Sequence, residues 1–522
     1  MELSNAVSGL KPGRSVFNLS HEVVTSADFG VLYPCLVKDM EPGAKFQLGN
    51  NLVIRLNPTI KPVMHDISAY IHYFFVPYRL LWSDWTKFIT GDISGNDETP
   101  PPTWTPATGE NDQDTLWDYL GFPIKKDMAG CLPSDFPRLA YNKIYDDYFK
   151  DQDLVPDFDL ATNTSLLKRA YRKDYFTSAR PFTQRGDPAG LPIAGTTNAV
   201  FTSNIGVQQG GSPTIAQDGE AFSVNNNSAV QVLVDGSQST PDVYRLVANQ
   251  VNLSDNTVDL ANNTFNIAQL RWAFQIQKWQ ERNARAGVRL KEFIISHYGV
   301  NIGDARLDRA EFIGGSKQKI VMSEVLQTSS SAFESGPVSL TPQGNLAGHG
   351  ISAATNRVGT YYAPEHGVMM AILSILPKSM YQQGLDREWN RKTRYDFYFP
   401  EFAHLSEQMV ENSEIFVTDG DATTNNAEFG YQGRYDDLRH ARSKVTGLMR
   451  SDADPNTEYW HGARNFSSVP ILNQDFIEVD KDSYDRLFAL ENAYQCQVRI
   501  GHIIRAIRPM PFASNPGLID HF

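Results

Sequence analysis

Cysteine is almost missing from this chain of 522 residues: Cys35, Cys131 and Cys496 stand far apart and are odd in number. That excludes a disulfide framework and fits a reducing compartment. Long apolar runs are missing too, the longest being VMMAILSIL at 368–376, too short to cross a bilayer. MELSNAVSGLKPGRS at the start has no apolar leader stretch, so the expectation is a cytosolic chain when made, with no membrane insertion. Positive charge is in deficit, 47 basic against 60 acidic residues for a net −13, so any contact with a polyanion must be local. Enzyme signatures are absent as well. There is no G-x-S-x-G, H-E-x-x-H, Walker loop or G-x-G-x-x-G; GHG at 348–350 lacks the third glycine, and HEVVT at 21–25 departs from the metalloprotease pattern at its last position. The eleven histidines are scattered. No catalytic residue, metal site or cofactor is assigned.

What the chain does contain is a globular composition, 41% hydrophobic and 20% charged, enough for a large core. The stretch MHDISAYIHYFFVPYRLLW at 64–82 mixes histidine, aspartate and serine with aromatics. As a strand it puts His65 on one face with Ile67, Ala69, Ile71, Tyr73 and Phe75, and His72 on the other with Ser68, Tyr70 and Phe74. The two histidines then cannot share a metal, and the near-continuous apolar run reads as a strand covered on both faces.

Residues 16–77 read as several strands punctuated by EPG, GNN and NPT. A proline-rich polar loop follows, and then FPRLAYNKIYDDYF, where Tyr141, Tyr145 and Tyr148 form a one-sided helical stripe of the core-packing kind. Residues 191–263 change character, with ten Asn, six acidic residues and a single basic one, Arg245; this reads as an inserted, solvated β elaboration. The strongest helical pattern comes next, carrying Trp272, Ile276 and Trp279 on one side, and Gly287 is expected to interrupt or end it. The chain closes on RPMPFASNPGLIDHF, an extended tail by its prolines.

One stretch suits nucleic acid. LLKRAYRKDYFTSARPFTQR at 166–185 sets Lys168, Arg169, Arg172, Lys173, Arg180 and Arg185 among Tyr171, Tyr175, Phe176 and Phe182, with only Asp174 opposing. Cations neutralise phosphates and ring faces stack bases, so this pattern fits single-stranded nucleic acid. Pairing of the same arginines with acids on a neighbouring element or subunit is the competing reading. His502 and His521 are open to titration near neutral pH at an interface, or are simply packed.

Five blocks in order resemble the major capsid protein of the Microviridae, in its gokushovirus-like branch: HYFFVPYRLLWSDWTKFITG (72–91), TPQGNLAGHG (341–350), YQQGLDREWNRKTRYDFYFPEFAHLSEQ (381–408), GYQGRYDDLRHARSKVTG (430–447) and RPMPFASNPGLIDHF (508–522). Tyr78 stands where the family often has Asn, and Ser406 where Gly commonly precedes EQ, which leaves the local backbone there open.

The resemblance implies a mainly β fold: one domain over 1–522, an eight-stranded viral jelly-roll β-barrel whose long interstrand loops carry short helices, with 191–263 as an outward-facing, β-rich variable insertion and 509–522 as an extended tail. It implies a homo-oligomeric T=1 icosahedral shell around a circular single-stranded DNA genome of a bacteriophage, assembled in the host bacterial cytoplasm and found in the virion. Expected partners are the genome, a small basic DNA-binding accessory protein, other virion proteins, and a host surface receptor met by the insertion. The nucleic-acid or subunit interface is placed on Lys168, Arg169, Tyr171, Arg172, Lys173, Tyr175, Phe176, Arg180 and Arg185. The tail interface is placed on Arg508, Pro509, Pro511, Phe512, Leu518, Ile519 and Phe522. A glycan-binding β-sandwich and a free-standing single-stranded DNA-binding protein are the alternatives; the first requires a concave site of Trp and carboxylates, the second a dominant basic groove.

Overall fold

Strand β5 (Ile67–Pro77) is buried at nearly every position, as its unbroken apolar run requires. In this computed structural model, residues 13–90, 99–186, 267–328, 344–490 and 493–513 are described, apart from isolated positions, together with five short strands between 196 and 259. Ahead of β5 lie β1 (Ser15–Asn18), β2 (His21–Ala27), β3 (Tyr33–Met40) and β4 (Lys45–Leu56). The short strands are β6 (Thr196–Asn198), β7 (Gly206–Gln209), β8 (Ser212–Thr214), β9 (Tyr244–Val247) and β10 (Thr257–Asp259). After them come β11 (Glu311–Leu326), β12 (Leu346–Tyr362), β13 (Gly367–Pro377), β14 (Glu407–Glu411), β15 (Glu428–Gly433) and β16 (Cys496–Arg508).

Two antiparallel sheets form the frame, one in the order β2-β16-β4-β12 and the other β3-β13-β5-β11. Strand β11 belongs to both, pairing with β5 as far as Ile320 and with β12 from Val321 onward. First and last strands lie side by side, and consecutive strands of the frame go to opposite sheets except β5 and β11, which pair with each other. This is the eight-stranded jelly-roll that the family resemblance implied. Its first strand is split: β2 takes Cys496–His502 of β16 and β1 takes Arg505–Arg508, with the Leu19 N–H donating to Ile504 O at 2.9 Å across the break. By its contacts the chain divides into two units, 1–183 with 282–522, and 184–281. The second unit holds the pair β6–β10 and the sheet β8-β7-β9.

The burial of β5 has two separate causes. Ile71, Tyr73 and Phe75 face the barrel interior with Phe46, Met369 and Ile500. Phe74 and Val76 face outward, where they pack with Val368, Met370 and the helix Phe136–Ile144. That helix and the π-helical turn Tyr145–Phe149 that continues it carry the tyrosine stripe into the layer: Tyr141 and Tyr145 are buried, and Tyr148 is half-buried. The Tyr141 hydroxyl donates to Leu32 O at 2.9 Å and accepts from the Leu167 N–H at 2.8 Å. By contrast β16 alternates buried and exposed residues, because only one of its faces meets the core. The long helix runs from Ile267 to Ala286, stopping just before Gly287 as the sequence suggested, and Trp272 on it is largely exposed.

A polar seam crosses the barrel interior. Asn50 on β4 donates to Ser316 Oγ at 3.1 Å and to the Tyr73 hydroxyl at 3.4 Å, and accepts from Asn356 Nδ2 at 3.2 Å. His502 Nε2 lies 3.0 Å from Cys35 O, so this nitrogen carries the proton and donates; Nδ1 then accepts from the Tyr73 hydroxyl at 3.3 Å. His502 is therefore packed in the barrel, and burial first, then the neighbouring His21, push its pKa down to about 4 from 6.5. His521 lies outside the described residues.

The sign of the linkage follows. Between pH 6.5 and about 4 the unfolded chain binds a proton here and the folded chain does not, so His502 withdraws stability as pH falls, about 1.4 kcal/mol per pH unit. His502→Gln removes that contribution. Its stability deficit relative to the parent, measured by urea unfolding, is expected to shrink by about 3 kcal/mol between pH 7 and pH 4 and to be constant from pH 7 to 8.

Candidate nucleic-acid and subunit interface

Residues 166–185 form no long helix or strand; the segment is threaded through the fold by its backbone. Leu32 N–H donates to Leu167 O at 2.9 Å, Arg169 N–H to Gly30 O at 2.6 Å, Tyr171 N–H to Ile477 O at 2.8 Å and Val479 N–H to Arg169 O at 3.2 Å. Gly30 permits this approach, since its φ is +77° and a Cβ there would sit 2.3 Å from Val479 Cβ. Asp174, the one acid in the segment, caps a turn instead of opposing the cations. Its Oδ1 accepts from the N–H groups of Phe176 (3.0 Å) and Thr177 (2.8 Å), and its Oδ2 from the hydroxyls of Tyr381 (2.8 Å) and Ser379.

This turn sends the aromatics inward. Tyr171 is buried with its hydroxyl 2.9 Å from that of Tyr484, Tyr175 donates to Glu414 Oε2 at 3.0 Å, and Phe176 packs on Tyr381 and Phe429. Within the subunit these three rings serve its own core. Of the cations, Lys173 pairs with Asp151 and Arg180 with Asp153. Arg169 is covered, with its guanidinium 4.7 Å from the Tyr70 ring and 5.4 Å from Phe149, and Nη1 donates to Ser374 Oγ at 2.6 Å. Burial lowers its pKa to about 10. Lys168 and Arg172 are exposed and make no ion pair among the described residues, while Arg185 falls in the second unit. So Lys168, Arg172 and Lys173 are the exposed cations of this segment within the first unit. The ring faces beside them are Phe149 and Phe312, lying far from each other and from the segment's aromatics in sequence; nothing in the local pattern pointed to them.

The tail begins as the end of β16. Arg508 pairs with Glu41 at 2.7 Å over the Phe46 ring, Pro509 follows half-buried, and Pro511 and Phe512 are exposed. The Phe512 ring stacks at 6.1 Å on Phe17 of β1. Leu518, Ile519 and Phe522 lie outside the described residues.

Two of the quoted blocks meet in space. Strands β14 and β15 pair, the Tyr435 N–H donates to Gln408 Oε1 at 3.2 Å, and Arg442 joins Asp386 and donates to Gly384 O. Ser406 has no left-handed backbone, so serine meets no strain there. Arg434 Nη2 donates to Tyr395 O at 2.6 Å and the Tyr435 hydroxyl donates to Phe397 O at 3.2 Å, which fixes residues 389–405 as a string of short turns. Along it Trp389, Tyr395, Phe397, Tyr398, Phe399 and Leu405 all face solvent. That exposed aromatic belt is larger than scattered surface residues require.

Comparison with known proteins places these features. A profile of the family described as "Capsid protein (F protein)" matches residues 5–518. The capsid protein VP1 of Chlamydia phage 1 is 32% identical, the match covering 97% of this chain and 96% of that protein. The capsid protein VP1 of Bdellovibrio phage phiMH2K is 33% identical over 89% of this chain and 88% of its own length. That of Spiroplasma virus 4 is 30% identical over 97% and 95%.

Proposed function

This chain belongs to the Capsid protein (F protein) family and is a structural component of a virion, not an enzyme, and from that premise we propose that its copies close into a T=1 icosahedral shell around a circular single-stranded DNA genome. The observation that carries the reading is the aromatic belt 389–405. A subunit that leaves six large apolar side chains in water along one short stretch has a surface made to be covered, and in a shell the cover is a second copy of the same chain. Closed symmetry lets modest contacts act together, since each copy repeats the same patch.

Genome contact falls on the outward cations Lys168, Arg172 and Lys173, with a small basic accessory protein sharing the neutralisation that a chain of net charge −13 does not supply. Residues 191–263 face away from the DNA, because their six carboxylates would repel phosphates, and meet the host surface receptor. The tail crosses onto a neighbouring copy, and assembly takes place in the host bacterial cytoplasm. Electron microscopy of the purified protein across a concentration series tests the shell directly: uniform small closed particles are expected, and a protein that stays monomeric in every buffer tried sinks the reading.

A further inference from the structure

A cleft of about 380 Å³ opens between the outward face of β5 and β11 and the backbone of residues 169–173. None of the residues lining it is acidic, although the chain carries 60 acidic residues. Its walls are rings set at angles to one another: Phe74 lies at 55° to Phe312 and at 74° to Phe149, so the rings form a cup instead of stacking and using up each other's faces. Phe312 is 46% exposed. The floor is kept low by Gly315, where a Cβ would lie 2.9 Å from His72 Cδ2, and His72 Nδ1 has no hydrogen-bond partner among the described residues. Cations stand along the rim. Arg172 makes no ion pair among the described residues, and Lys173 is offset by Asp151.

We propose that this cleft receives one nucleotide unit of a single nucleic-acid strand, its base in the Phe149–Phe312 cup and its phosphate against Arg172. The inference rests on the reading above that the shell encloses single-stranded DNA, and adds where a strand would be held and by which groups. The chemistry favours this ligand over others carrying the same charge. An acidic peptide would satisfy the cations but bring no flat ring to the cup, and a duplex keeps its bases stacked out of reach.

The test is a fluorescence-anisotropy titration of the full-length protein with a labelled twelve-residue oligothymidylate at several salt concentrations. Phe312→Ala is expected to weaken binding by about 5- to 100-fold with the salt dependence unchanged, the loss of one stacked base. Arg172→Gln is expected to weaken it and to reduce the slope of log affinity against log salt by about 0.7, the loss of one phosphate contact. Both side chains face solvent, so neither change unfolds the subunit. If both variants bind as the parent does, or if a duplex of the same length binds equally well, the cleft is not a strand receptor. Displacement of the oligomer by thymidine monophosphate at comparable concentration would assign it to free nucleotide and also overturn the proposal. Particle formation in parallel separates the two readings: particles with variant-insensitive DNA binding sink the cleft alone, and variant-sensitive binding without particles sinks the shell alone.

Discussion

Trp389→Ala is expected to raise the protein concentration at which particles form by about 30-fold while leaving the subunit folded. Trp389 is 73% exposed, so truncating it opens no cavity and removes little that folding depends on. Its value lies in what a neighbour would cover. Aromatic anchors at the centre of interfaces cost about 2 kcal/mol or more when cut to alanine, and each copy in a closed shell repeats the loss. The residues beside it share the arrangement: Arg391 lies over Phe397 at 5.2 Å and Arg394 over Tyr395 at 4.8 Å, so the belt is braced before any partner arrives and a partner does not have to order it. Light scattering across a concentration series, with urea unfolding of the unassembled subunit as control, reads both halves of the expectation. Assembly at the parent's threshold would remove the belt from the interface.

Arg138→Met is expected to cost the subunit about 3–5 kcal/mol, roughly a fifth or more of the stability of an ordinary domain. Arg138 is 1% exposed on the helix Phe136–Ile144, with Nε and Nη2 gripping the two oxygens of Asp135 at 2.7 and 2.6 Å. Nη1 donates to Asn163 O at 2.8 Å and the guanidinium lies 4.5 Å from the Trp104 ring. Methionine fills the volume but strands a carboxylate. Burial already raises the Asp135 pKa, outweighing the lowering by Arg138, so without the arginine it rises further. A folded-state pKa above the unfolded one means the folded chain takes up the proton first as pH falls. The deficit should therefore be largest at neutral pH and shrink toward pH 5, and adding Asp135→Asn should recover stability by removing the stranded charge. Urea unfolding of the three proteins at both pH values gives the answer, and a deficit independent of pH would contradict the assignment.

Much of the frame was legible in the residues. An unbroken apolar run is sufficient to bury both faces of β5, and the split of its faces between barrel and helix follows from alternation alone. The tyrosine stripe at 141, 145 and 148 turned into core for the same reason. The segment 166–185 was legible only in composition. Which of its side chains point outward is decided by Gly30, by the turn at Asp174 and by acids at 151 and 153, none of which imposes a period on the segment. Phe149 and Phe312 come from opposite sides of the 191–263 stretch and meet only because β11 pairs with β5, with Phe312 opposite Phe74. The belt at 389–405 lies in a block whose resemblance was plain, but exposure of an aromatic is a property of the folded surface and leaves no mark on spacing.

The placement of β16 carries one more implication. Residues 496–508 lie inside a sheet, bonded to β4 on one side and to β1 and β2 on the other, although all of these partners stand at the far end of the sequence. A ladder between segments so distant must close a very long loop before any of its hydrogen bonds repays the ordering, which makes it a slow step of folding. Without β16 the strands on its two sides have no partner to join them, so the wall of the barrel is sealed by the most remote pairing in the frame.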